Sequence, residues 1–282
     1  MHAPTNVSVA HTPKEAGSCP IHALIQWRAT GSMLSRISIL IFGLVSYFVF
    51  FGTILYTIGF VSDAVVPKTI NSGTAGPWLP SLLINSAMLL LFVVQHTIMA
   101  RPWFKRWFIR YVPCAMERST FVLFASVILL AMCWLWQPVP SVVWSVSNPI
   151  LANMLFGLSM FGWVLVFAST FMLSHFDLFG VRQVVTNAMG NDYRPIPFRL
   201  VWMYKVVRHP LMLGFIIAIW PTPTMTVGHL FFAVMVTGYI FFGVMMEERD
   251  LVAAFGDSYR QYRKEVRGLL PLPKFGRKEG AA

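Results

Sequence analysis

Two ionic clusters flank the last apolar stretches of this chain, and their residue types suit a charged ligand. Arg208-His209-Pro210 leads straight into the apolar run 211–220, and Glu247-Glu248-Arg249-Asp250 emerges from the run 227–246. Charges beside lipid-spanning segments are costly and tend to be kept for chemistry. Proline suits the first turn of a helix, where it leaves neighbouring amides free, and a helix start favours a carboxylate. Acidic residues at a helix C-terminus oppose the dipole, so Glu247 and Glu248 call for a cation, either Arg208 or a bound one. Gln95-His96 and Ser174-His175-Phe176-Asp177 are the other places where polar groups meet the end of an apolar run. Each has a plainer reading. His96 also suits an interfacial position beside Arg101, His175 with Asp177 suits a helix cap among lipid headgroups, and Arg208 alone suits a snorkelling side chain.

The elements that must position these groups are membrane helices. Of 282 residues, 56% are hydrophobic and only 12% charged, against about 25% charged in a soluble domain. Runs 37–61, 78–99, 120–135, 150–173 and 227–246 approach or reach the ~20 residues needed to cross a bilayer. Run 211–220 is a shorter sixth, closed by Pro221 and Pro223. The expected fold is an all-α, polytopic integral membrane helical bundle of five to six transmembrane helices with a C-terminal cytoplasmic helix. Residues 1–32 read as a flexible cytoplasmic tail and 33–282 as the membrane domain. Within it, 251–282 form a cytoplasmic helix and tail, the helix marked by the stripe Leu251, Phe255, Tyr259, Tyr262. The insertion 177–207, with Gly190-Asn191-Asp192 and Pro195-Ile196-Pro197, reads as a structured loop or short helix pair.

The net charge of +11 follows topology rather than nucleic acid. Lys and Arg crowd alternate connections, which by the positive-inside rule puts both termini in the cytoplasm and the basic loops against anionic lipid. Cys19, Cys114 and Cys133 show no pairing logic, and Cys19-Pro20-Ile21-His22 lacks the second ligand pair of a metal site. No metal is expected. With this topology His96, His175-Asp177, Arg208-His209 and Glu247-Glu248 gather from four helices at one depth, opening to the cytoplasm. The other face offers little beyond Asp63, Lys68 and His229.

Arg208-His209-Pro210-Leu211-Met212-Leu213-Gly214, then Glu247-Glu248-Arg249, then Phe255-Gly256-x-x-Tyr259-x-x-Tyr262, resemble the C-terminal half of the isoprenylcysteine carboxyl methyltransferase and phospholipid methyltransferase superfamily. A closer resemblance runs from Gln95 onward. Gln95-His96-Thr97-Ile98-Met99-Ala100-Arg101-Pro102, Glu117-Arg118-Ser119-Thr120, His175-Phe176-Asp177-Leu178-Phe179-Gly180 and Pro223-Thr224-Met225-Thr226-Val227-Gly228-His229 are similar to the NnrU-related methanethiol S-methyltransferase family.

The resemblance implies a bacterial inner-membrane enzyme that uses S-adenosyl-L-methionine to convert methanethiol to dimethyl sulfide. It assigns Arg208, His209, Pro210, Gly214, Glu247 and Glu248, with Tyr204 beside them, to the cofactor. Met212 stands where the superfamily often has Tyr. The thiol must lose its proton, and His96, or His175 held by Asp177, is the expected catalytic base. His209 is expected to order the pocket. The implied partners are a small thiol and membrane lipid, with no nucleic acid and no obligate protein partner. Two alternatives stay open. One is a prenylcysteine or phospholipid acceptor; the other, of a different class, is a haem-binding redox subunit using His96, His175 and His209.

Overall fold

The computed structural model describes residues 29, 31–194, 196 and 202–270. Most of the expected N-terminal tail, with Cys19 and His22, lies outside these residues, as do Pro195, Pro197 and 271–282.

Among the described residues five helices are long and apolar enough to cross a membrane: α1 (Met33–Val61), α2 (Trp78–Ala100), α4 (Cys114–Leu135), α5 (Pro149–Leu173) and α9 (Val227–Phe255). Their outward surfaces carry large apolar side chains, among them Phe48, Leu83, Val164 and Phe171, each more than half exposed. A helix apolar all round is stable only when lipid covers what protein does not. The architecture is therefore a polytopic helical membrane bundle.

Local sequence explains most of the boundaries. The Ser32 hydroxyl accepts from the Ser35 amide to cap α1, Asn148 accepts from Ile150 and Leu151 to cap α5, and Thr226 accepts from His229 to cap α9. The short basic helix α3 (Pro102–Phe108) joins α2 to α4 at the end of the bundle where α1 begins. The insertion after α5 holds two short helices, α6 (His175–Leu178) and α7 (Val181–Ala188), and a 3₁₀ turn, Trp202–Lys205.

Helix α8 (Pro210–Ile219) has ten residues, so it rises about 15 Å, half of a ~30 Å hydrocarbon core. It lies against α5 at backbone contact distance. A Cβ on Gly162 would fall 2.4 Å from the Ala218 nitrogen, and one on Gly214 would fall 2.9 Å from the Val166 nitrogen. Small residues permit this approach, as is usual between membrane helices. Beyond Trp220 the chain is extended. Thr224–Thr226 (β2) pairs antiparallel with Val142–Ser145 (β1), which lies in the α4–α5 connection. The sequence reading contains no such ribbon, because three or four residues carry no periodicity of their own.

Helix α9 departs from expectation in a way that affects the site. It does not stop at Met246 but continues to Phe255, and Gly256, at φ 56°, turns the chain into α10 (Asp257–Glu265). Twenty residues cover ~30 Å, so the final turns project beyond the apolar core. Glu247 and Glu248 therefore lie inside a helix with two further turns after them. They do not cap it, and the dipole argument for a compensating cation loses its force.

Candidate active site

An ionic clamp joins the start of α8, the late turns of α9 and α10. Glu248, 9% exposed, is its centre. Arg208 Nε donates to Glu248 Oε1 at 2.8 Å and its Nη2 forms a close ion pair with the same oxygen. His209 Nε2 lies 3.1 Å from Oε1, and Arg263 Nε lies 3.1 Å from Oε2. Arg208 also reaches past α10, its Nη1 donating to the carbonyls of Arg263 and Val266. The backbone follows: the amides of Arg208 and His209 donate to the carbonyls of Arg267 (2.8 Å) and Gly268 (3.0 Å). Tyr262 donates its hydroxyl to the Tyr204 carbonyl, which closes the assembly.

These contacts redistribute the expected roles. Arg208 donates from Nε and from both terminal nitrogens to protein acceptors, so it is a tie between helices and not a spare cation for a ligand carboxylate. Gly214 faces α5 and serves helix packing; Pro210 is buried at the first position of α8. Tyr204 is buried, and burial with nearby Glu247 raises its phenol pKa, so it stays protonated. Tyr262 is pushed up to about 12, chiefly by burial. Burial alone would lower the His209 pKa, but hydrogen bonds and charge from Glu247 and Glu248 outweigh it and raise it above 6.5. The imidazole is held between the two carboxylates, with Nδ1 3.5 Å from Glu247 Oε2.

Glu247 is the open member of the pair, its side chain 42% exposed against 11% for Glu248. At about 100° per residue, Tyr239, Gly243, Met246, Glu247 and Asp250 form one stripe of α9, and Phe241, Val244, Met245 and Glu248 form another on the far side. The second stripe, with Arg249 and Arg263, lines a cavity of about 400 Å³. The first faces α2: Tyr239 OH lies 3.3 Å from Thr97 Oγ1, and Arg101 pairs with Asp250 at 3.1 Å. On this stripe a Cβ added to Gly243 would meet nothing within 4 Å, so there is open space beside it.

His96, on α2, stands beside Tyr239 of this stripe. Its ring packs on Phe92 (5.3 Å between centroids), Phe121 (4.9 Å) and Tyr239 (6.3 Å). Its Nδ1 is sealed from solvent and has no hydrogen-bond partner among the described residues.

His175 is the opposite case. It is 3% exposed, with Nε2 3.0 Å from the Tyr47 hydroxyl and Nδ1 2.9 Å from the Thr170 hydroxyl, and it stacks on Phe171 at 4.3 Å. Burial lowers its pKa and keeps it neutral. Asp177 does not hold it. That carboxylate accepts from Arg182 (2.9 Å) and Tyr193 (2.8 Å), which fixes the α6–α7 segment. The expected His175–Asp177 pair is thus not formed, because the left-handed Ser174 (φ 95°) starts a new helix and Asp177 follows it towards α7.

Two of the three histidines weighed as haem ligands are tied up within the protein. Both ring nitrogens of His175 and of His209 are engaged by protein groups. Among the described residues no group of three or more His, Cys, Asp or Glu could hold a metal ion. Sequence reasoning missed Arg263, Tyr47, Thr170 and Tyr239. The two tyrosines had a signal, a lone phenol within an apolar run; Arg263 had none, since its partner is 15 residues away across a helix break.

The chain is 50% identical over 242 residues to methanethiol S-methyltransferase 1 of Bradyrhizobium diazoefficiens, covering 86% of this chain and 85% of that protein. It is 49% identical over 240 residues to methanethiol S-methyltransferase of Mycobacterium tuberculosis, covering 85% and 98%. Methanethiol S-methyltransferase of Crocosphaera subtropica is 41% identical over 88% of this chain and 97% of its own. A more distant likeness, 27% over 76% of the chain and 86% of the relative, is to Nurim of Bos taurus. No family profile and no solved structure matches. Identity of 41% to 50% along most of the length settles the relationship: the chain belongs to the methanethiol S-methyltransferase family.

Proposed function

We propose that this protein methylates methanethiol to dimethyl sulfide, with S-adenosylmethionine as donor. The site lies within the bundle and opens to the cytoplasmic face of the bacterial inner membrane. The observation that carries the reading is the 41% to 50% identity to relatives named for this reaction over 85% to 88% of the chain. The basic connections at the end of the bundle holding Glu247 and His96 support a cytoplasmic opening.

The residues present fit such a donor. Glu247 offers a half-exposed carboxylate for an ammonium or ribose hydroxyls. The first amides of α8, which no side chain caps, suit a carboxylate. When bound, the donor supplies a methyl group on a sulfonium sulfur, which keeps the C–S electron pair as the methyl leaves. The protein's own part is positioning and proton removal. Glu248, Arg208, His209 and Arg263 hold Glu247 and the α8 start in place. The inner stripe of α9 runs from Glu247 past Gly243 to Tyr239, about 12 Å along the axis, and so links the clamp to His96. His96 acts as the base, since its unpartnered nitrogen can take the S–H proton, whereas His175 has both nitrogens engaged and acts as a structural node. A small apolar thiol partitions into lipid and enters laterally between helices.

The test offers purified protein in lipid nanodiscs labelled S-adenosylmethionine with methanethiol, longer thiols, prenylcysteine and phospholipid in parallel. Labelled dimethyl sulfide is the expected product. Label in lipid or prenylcysteine, with none in the thiols, would assign the alternative acceptors instead.

A further inference from the structure

The end of the bundle that holds His96 also holds a cation without a carboxylate at contact distance. Arg101 pairs with Asp250 (3.1 Å), Lys105 with Glu117 (4.0 Å) and Arg182 with Asp177 (2.9 Å). Arg118, in the first turns of α4, has no carboxylate within 4.0 Å among the described residues. Glu117 and Asp177 act on it only from beyond that range, and each is engaged by another cation. Its Nε donates to the Leu178 carbonyl at 2.6 Å. Its guanidinium lies over the Phe121 ring, 5.0 Å from the centroid, and that ring packs 4.9 Å from His96. The cation is therefore no more than about 10 Å from the imidazole, inside the range where charge acts appreciably in a protein.

We propose that Arg118 is a positioning residue that supplies the positive field favouring the thiolate form of the acceptor at His96. This rests on the thiol-methylation reading above. The S–H proton passes to the His96 nitrogen and from there to bulk water. The attacking state is then a thiolate beside a neutral imidazole. A cation favours that state by stabilising the anion. For a thiolate lying about as far from the cation as the imidazole does, ~10 Å, and an effective dielectric constant of about 20, the ionisation equilibrium moves roughly tenfold.

The experiment compares methanethiol with 2,2,2-trifluoroethanethiol, whose fluorines make it ionise with little help. Both are assayed on the same nanodisc sample, so the ratio of their kcat/KM values does not depend on the fraction folded. Arg118→Met should lower kcat/KM for methanethiol roughly tenfold, with a much smaller loss on the fluorinated thiol. Arg118→Lys, which keeps the charge, should keep the wild-type ratio. Equal losses on both thiols in Arg118→Met would show that Arg118 only ties α4 to the Leu178 carbonyl, and would overturn the proposal. So would unchanged rates, or a ratio in Arg118→Lys displaced as far as in Arg118→Met. Failure of the wild-type protein to methylate any thiol would instead remove the underlying reading.

Discussion

Replacing Glu248 by Gln removes the charge at the centre of the ionic clamp while keeping its shape. The carboxylate receives Arg208 through two nitrogens, His209 through Nε2 and Arg263 through Nε, and the Arg208 and Glu248 side chains are each 11% exposed. Breaking a buried pair by neutralising one partner costs about 3–5 kcal/mol, because the remaining charge stays desolvated. Here the cost falls on docking of the 266–268 segment, which accepts hydrogen bonds from the Arg208 and His209 amides. Local opening should become easier by that amount, so these two amides should exchange with deuterium roughly 150- to 5000-fold faster. Hydrogen-exchange mass spectrometry in nanodiscs reads this directly. Amides of α5 near Val166, held by the separate α5–α8 contact, should be unchanged. Unaltered exchange at Arg208 and His209 would refute the clamp. An equal acceleration in α5 would show that Glu248 supports the whole bundle and not this joint.

Three further outcomes are expected. Glu247→Gln should weaken binding of S-adenosylmethionine, or of its demethylated product, by about 10- to 100-fold in calorimetry, the worth of a charge-assisted hydrogen bond; unchanged affinity would take Glu247 out of the site. His96→Ala should spare donor binding and lower turnover at least roughly 100-fold. By contrast His175→Phe, which strands the Tyr47 and Thr170 hydroxyls, should cost stability of about 1–3 kcal/mol per group with turnover per folded molecule kept. Loss of turnover without loss of stability in His175→Phe would move the base there. His209 has a folded pKa above its ordinary 6.5, so its protonated form is favoured in the native state. Its stabilisation is therefore full below 6.5 and is lost as pH rises through the raised value. The difference in Tm between wild type and His209→Gln should shrink across that interval, and a constant difference would refute the linkage.

The span pattern was legible because lipid imposes it: a stretch must be apolar for ~20 residues whatever its neighbours, so composition alone locates it. The ionic clusters were legible for the related reason that charges are rare there. What could not be read was how each polar group is used. Arg208 looks available in sequence, yet three backbone and carboxylate partners from a segment 40 to 60 residues away take its donors. Gly214 sits in a motif beside the ligand-binding residues, yet α5 lies against it.

By itself, the sequence determined the bundle, its five long spans and the set of residues able to do chemistry. Only the tertiary structure decided which of them are occupied by one another. It sent Asp177 to Arg182 and Tyr193, engaged both nitrogens of His175, left His96 Nδ1 without a partner among the described residues and placed Arg118 behind Phe121. The physical reason is that hydrogen bonds and ion pairs are short-ranged and directional. Their partners are chosen by where helices cross, and crossings depend on side-chain volumes from several segments at once.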